Sequence, residues 1–236
     1  MGAYRNAVKE ELLELFSQKK LANIMFFGIV FLDALGAIFP EYLNRKITLF
    51  VPFPLILVIY MSHTRKVNRW FVLALVLNFF GICYFNNPYL RYDSTGLVFH
   101  AMAYLVYCFI LFRPFKTIGV KKILFVLVLL SLLVLVPLAF YYDGIKQTVV
   151  FNATILYVCL TALYILLAVL VYISRKTETH RFLLFSAISI LLSSYFQGYN
   201  LFMDKNDLLN FFAVICFNLA HYLMCCYLVR RSKEVG

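Results

Sequence analysis

The polar residues of this chain fall in short clusters, and between the clusters run long apolar stretches. Eight such stretches are long enough to read as membrane helices, at roughly 21–39, 46–63, 70–88, 95–113, 122–142, 150–173, 181–202 and 208–229. A helix needs about 20 consecutive apolar residues to cross the hydrocarbon core of a bilayer. The pattern therefore predicts an all-α polytopic membrane protein with eight transmembrane helices in one bundle. The connections are too short for a folded domain, so the expected organisation is a cytoplasmic segment over 1–20, a membrane domain over 21–229 and a tail over 230–236. In the first segment Val8, Leu12, Leu15 and Phe16 share a helical face flanked by Lys9, Glu10, Glu11 and Glu14, which suggests a short amphipathic helix on the membrane surface.

Charge orients the bundle. Of the 22 Lys and Arg, 17 fall in the termini and alternate loops on one side and 5 in the loops on the other. Positive charge accumulates on the cytoplasmic side, so both termini are expected there. The same bias explains a net charge of +11 without nucleic acid, for which no motif or basic arm argues. Composition agrees, because 64% hydrophobic and 14% charged residues lie far from the averages of about 45–50% and 25% in soluble domains. Tyr89, Tyr92, Tyr141 and Tyr142 suit one interfacial belt and Trp70 the other. Cys83, Cys108, Cys159, Cys216, Cys225 and Cys226 lie in apolar stretches without metal-like spacing and read as small buried hydrophobes. His63 and His180, near the inner helix ends, read as solvated.

Against that background, a few polar residues stand at membrane depth. Ten of the eleven acidic residues lie in termini or loops, and the other is Asp33 in the first span. Intramembrane carboxylates face a bundle interior or a wet cavity, and Gly36 and Ala37 on the same helical face permit close helix approach. His100 begins a stripe with Tyr104 and Tyr107, and His221 follows Asn218 by one turn. Ser193, Gln197 and Asn200 share a face, Ser194 adjoins it, and Asn78 adds a mid-depth amide. The orientation puts Asp33, His100, Gln197 and Asn200 in the outer half of the membrane, with Asn78, Ser193, Ser194 and His221 deeper. These residues predict a polar cavity open to the outer leaflet. Interhelical hydrogen bonding alone is the plainer alternative. The fifth and sixth spans read as almost unbroken Leu, Val and Ile.

Several segments resemble the YhhN-like lysoplasmalogenase family. VPFPLILVIY is similar to its Lys-Pro-Leu span, with Pro52 kept and Val51 at the Lys position; ALVLNFFGIC keeps Gly81 but has Ile82 at an Asp position. TGLVFHAMAYLVY keeps Gly96 and Tyr107, with Tyr104 at a His position and His100 at a Phe position. SAISILLSSYFQGYNLF keeps Ala187, Ser193 and Phe202, with Ser194 at an Asp position, and LAHYL carries His221 where the family has Gln. The resemblance covers roughly 46–229 and implies an eight-span fold that hydrolyses the vinyl ether of lysoplasmalogens. Most of the polar signature has changed, so it implies a divergent member.

The leading expectation is thus a lysoplasmalogenase-like protein that acts on or binds a lipid in an outer-leaflet cavity. If it is a hydrolase, Asp33, His100 and His221 are the catalytic candidates. Asn78, Tyr104, Ser193, Ser194, Gln197, Asn200 and Asn218 would contact substrate, and no metal or cofactor is called for. A noncatalytic lipid-binding or sensing protein is the first alternative, and it would lose little stability on Asp33→Asn. A small-solute transporter is the second. The partner is a membrane lipid and the oligomeric state is left open. The expected location is a bacterial inner membrane, with a eukaryotic endomembrane as the alternative.

Overall fold

The computed structural model describes residues 2–64, 66–85, 94–112, 120–146, 148 and 150–235. Tyr89 and Tyr92 lie outside the described residues. Among those described the chain is all-helical: α1 (Gly2–Ile38), α2 (Arg45–Thr48), α3 (Pro52–His63), α4 (Arg69–Phe85), α5 (Thr95–Phe112), α6 (Val120–Ile145), α7 (Phe151–Ser174), α8 (Glu178–Phe202) and α9 (Asp207–Val235). Seven helical segments are long and apolar enough to cross a membrane, and the apolar helix Arg69–Tyr84 is shorter. The protein is therefore an integral membrane protein.

Two elements differ from the pattern-based expectation. The N-terminal segment and the first apolar run form one continuous helix, α1. The second run is broken, with α2 ending at Thr48 before α3 starts at Pro52. Pro52 and Pro54 fix the break. Neither can donate a backbone hydrogen bond, and the first turn of a helix is where that is tolerated. The first bond of α3 runs from Leu55 N to Val51 O at 3.2 Å. Asn44 caps α2 by accepting from Lys46 N at 3.0 Å.

Within a bilayer apolar surface alone does not drive helices together, so small residues and polar contacts decide the packing. The α8–α9 pair shows this. Ser186 Oγ donates to Ala220 O at 2.7 Å, and Ser193 Oγ donates to Ala213 O at 2.9 Å. The two serines are one heptad apart, as are the two alanines, so the helices run antiparallel and in register. Tyr104 packs on Tyr157 and Tyr107 on Tyr164, which sets α5 and α7 parallel. Phe26 and Phe31 of α1 meet Tyr222 and Phe211 of α9 in antiparallel sense. Helix α6 lies at the periphery and turns Leu124, Val128, Leu132 and Leu135 outward, the last 64% exposed. Such a face suits lipid.

Three sequence-based expectations are corrected here. Tyr141 is buried against α8, with Oη donating to Tyr195 O at 2.9 Å, while Tyr142 is exposed. His180 is buried, with Nδ1 at 2.6 Å from Thr177 Oγ1, whereas His63 is half-buried, with Nδ1 at 2.8 Å from Ile59 O. Only two cysteines, Cys108 and Cys225, are buried; Cys159 is exposed on α7.

Candidate functional site

The intramembrane carboxylate of Asp33 is 1% exposed. Its partner comes from the short helix α2. Arg45 Nε lies 3.0 Å from Asp33 Oδ1, and Nη2 lies 3.1 Å from Oδ2, a bidentate pair. Thr48 Oγ1 donates to Oδ1 at 3.0 Å. Gly36 makes room for this arrangement, because a Cβ there would sit 2.6 Å from Arg45 Cγ. Asp33 does face inward, and three donors occupy its oxygens. A carboxylate so engaged ties α2 to α1 through charge-assisted hydrogen bonds.

The two deep histidines have separate partners. His100 Nδ1 lies 2.8 Å from Asn78 Oδ1, and Asn78 Nδ2 donates to Ala74 O at 3.0 Å. The amide orientation is thereby set, so His100 carries its proton on Nδ1 and leaves Nε2 as an acceptor. The imidazole edge rests on Gly81, where a Cβ would lie 2.8 Å from Nε2. His221 Nδ1 is 3.0 Å from Tyr107 Oη, and the ring packs on Phe217 and stacks on Tyr104.

Along α8 the polar stripe divides its work. Ser193 bonds α9 and Ser194 Oγ lies 2.9 Å from Tyr157 Oη. Asn200 finishes the helix, donating to Phe196 O at 2.9 Å and accepting from Asn206 N at 2.7 Å. Gln197 is left facing a cavity of about 200 Å³.

That cavity brings together Asp33, His100, Ser193, Ser194, Gln197 and Asn218. Asn78, Tyr104, Asn200 and His221 are not on its wall. Its lining comes from Arg45 of α2 and Leu49, from the C-terminal halves of α1, α4, α6 and α8, and from the N-terminal halves of α5, α7 and α9 with Ile165 just past the middle of α7, so it occupies one end of the bundle. The lining ends near mid-helix, at Ile165 and Asn218.

Arg45, Tyr157 and Thr161 are wall residues that sequence reasoning missed. Thr154, Tyr157 and Thr161 fall at i, i+3 and i+7 of a span read as unbroken aliphatic. That periodicity was the available signal. Arg45, counted only as a loop charge, gave none.

On the lipid-facing side, Leu133, Pro137, Leu191 and Tyr195 line both the cavity and an apolar groove between α6 and α8. At its far end the helices are pinned, because a Cβ on Gly144 would collide with Phe202 O. Pro137 removes the α6 hydrogen bond to the Leu133 carbonyl where the groove meets the cavity.

Four buried polar atoms here form no hydrogen bond: Tyr104 Oη, Thr161 Oγ1, Asn218 Oδ1 and His221 Nε2. Tyr157 Oη, engaged with Ser194, also stands near the Tyr104 and Thr161 hydroxyls. No group of His, Cys, Asp or Glu suited to a metal ion occurs among the described residues. Comparison with known proteins finds no matching family model, curated protein or solved structure.

Proposed function

We propose that this integral membrane protein binds a single-chain lipid in the cavity, on a scaffold resembling the lysoplasmalogenases, and does so without hydrolysing it. The observation that carries the reading is that the cavity, whose largely apolar wall carries a few polar groups, and the apolar groove between α6 and α8 share Leu133, Pro137, Leu191 and Tyr195 as walls. A lipid's polar head matches those polar groups, and its aliphatic tail matches the apolar surfaces. The saturated Asp33 carboxylate favours binding over hydrolysis, since the expected general base already accepts three donors. A lining that ends near mid-helix argues against a transport path.

The proposed topology has eight crossings with both termini in the cytoplasm. It is supported by the 17 to 5 division of Lys and Arg and by the alternating directions of packed helices. Helix α4, with 17 residues, spans about 26 Å, close to the roughly 30 Å hydrocarbon thickness. This topology opens the cavity to the outer leaflet.

The test is native mass spectrometry and thermal unfolding of the purified protein with lysophospholipid, lysoplasmalogen and monoacylglycerol. At least one single-chain lipid should bind and raise Tm, and Leu133→Trp with Leu191→Trp should abolish that shift. Failure of every such lipid to bind overturns the proposal, and aldehyde release from lysoplasmalogen overturns its noncatalytic form.

A further inference from the structure

The proposed reading leaves the headgroup undefined, and the two unsatisfied polar atoms on the cavity wall, of Thr161 and Asn218, define it. Thr161 and Asn218 lie on the inner wall of the cavity. His221 follows Asn218 by one helical turn on α9, and Tyr104 stacks on His221. Their exposures are 0% for Tyr104, 4% for Thr161, 5% for Asn218 and 1% for His221. A buried polar group left unpaired destabilises a protein by about 1–3 kcal/mol. Two on one cavity wall point to an occupant.

The bonding state of each atom follows from its neighbours. Asn218 Nδ2 donates to Val214 O at 3.0 Å, so Oδ1 turns its lone pairs to the recess. Tyr107 Oη reaches His221 Nδ1 at 3.0 Å. Thr161 adds a hydroxyl that donates or accepts. The inner wall thus offers an acceptor at Asn218 and an adaptable hydroxyl at Thr161, and no uncompensated charge. Asp33 and Arg45, also on the wall, neutralise each other.

We infer that the inner wall of the cavity, at Thr161 and Asn218, binds the hydroxyl of an uncharged, hydroxyl-bearing lipid headgroup, such as that of a monoacylglycerol. The inference rests on the lipid-binding reading and names its ligand class. A hydroxyl donates to Asn218 Oδ1 while accepting from the Thr161 hydroxyl. A carboxylate brings no proton to Asn218, and a choline headgroup finds no uncompensated anion. A cavity of about 200 Å³ is smaller than the roughly 300–1,000 Å³ of sites that enclose a whole ligand. It takes the headgroup, and the chain lies in the groove between α6 and α8.

The experiment measures binding of radiolabelled monooleoylglycerol to the full chain in phosphatidylcholine nanodiscs, with oleate and lysophosphatidylcholine as competitors. Monooleoylglycerol should bind saturably, and the competitors should displace it only at concentrations at least about tenfold higher than unlabelled monooleoylglycerol needs. Thr161→Val, which keeps the shape, and Asn218→Leu should each weaken it about five- to tenfold, the worth of one neutral hydrogen bond. If Asn218→Leu fails to fold, Thr161→Val carries the test. Undiminished binding in both Thr161→Val and Asn218→Leu, or equal potency of either competitor, overturns the inference while lipid binding stands. In that case the recess holds an ordered water only. If none of the three lipids binds, the lipid-binding reading falls and takes the inference with it.

Discussion

Asp33 and Arg45 show how far one residue's meaning depends on its partner. Alone in a hydrocarbon span the carboxylate would resemble an acid or base held for chemistry. Paired bidentately with Arg45 and bonded by Thr48, it is a tether that fixes α2 to α1. Asp33→Asn should then destabilise the protein by about 2 kcal/mol, below the roughly 3–5 kcal/mol of a fully buried broken pair because the Arg45 side chain is 24% exposed. Adding Arg45→Met should recover more than half of that loss, because the stranded charge is removed with its partner. Chemical unfolding in detergent micelles measures both, and purely additive losses would refute the tether. Gly81→Ala is a second case. Its Cβ would lie 2.7–2.9 Å from the His100 ring, a rigid neighbour in a filled site. We predict a loss of about 1–3 kcal/mol, relieved in the double variant with His100→Ala.

At the scale of elements, the bundle is held by contacts that sequence periodicity locates but does not pair. Ser186 and Ser193 reach backbone carbonyls of α9 that already take part in helical bonding. Ser186→Ala and Ser193→Ala should therefore be mild, each about 0.6 kcal/mol and at most about 1.7. Gly144→Val should be harsher, because its Cβ meets the Phe202 backbone, which cannot rotate aside. It should force α6 from α8 and widen the groove at Pro137. Cross-linking between Leu133→Cys and Leu191→Cys, introduced into a cysteine-free background, should fall in the Gly144→Val form. An unchanged yield would mean that the Gly144 contact does not set the helix spacing.

At the scale of the molecule, the cavity lies at one end of the bundle, and the charged residues of the opposite end include Glu178, Arg230 and Arg231. Glu178 pairs with Arg230 at 3.5 Å, and Arg230 also lies 4.4 Å over the Phe182 ring. The proposed orientation can be read from labelling. Cysteines placed at Lys146 and Lys205, whose side chains are 40% and 78% exposed, should react with an impermeant maleimide from the outer side. A cysteine at Lys233 should react only from the cytoplasmic side. Labelling of all three from one side would overturn the eight-crossing topology.

Periodicity and composition by themselves determined that this chain is a helical membrane protein, because a bilayer admits only runs of apolar residues long enough to satisfy their own backbone. They also marked the polar residues that belong inside, since each is costly in lipid wherever it lies. Thus Asp33, His100, Ser193 and His221 were legible as inward-facing. Their partners were not, because Arg45, Asn78, Ala213 and Tyr107 lie 12, 22, 20 and 114 residues away. Helix length says nothing about which faces meet. The tertiary structure alone decided that Asp33 is neutralised, that Asn200 ends a helix while Gln197 faces the cavity, and that Thr161 and Asn218 share a wall. It decided these because packing of small residues, Gly81 on His100 and Gly144 on Phe202, sets the distances at which polar atoms bond or remain free.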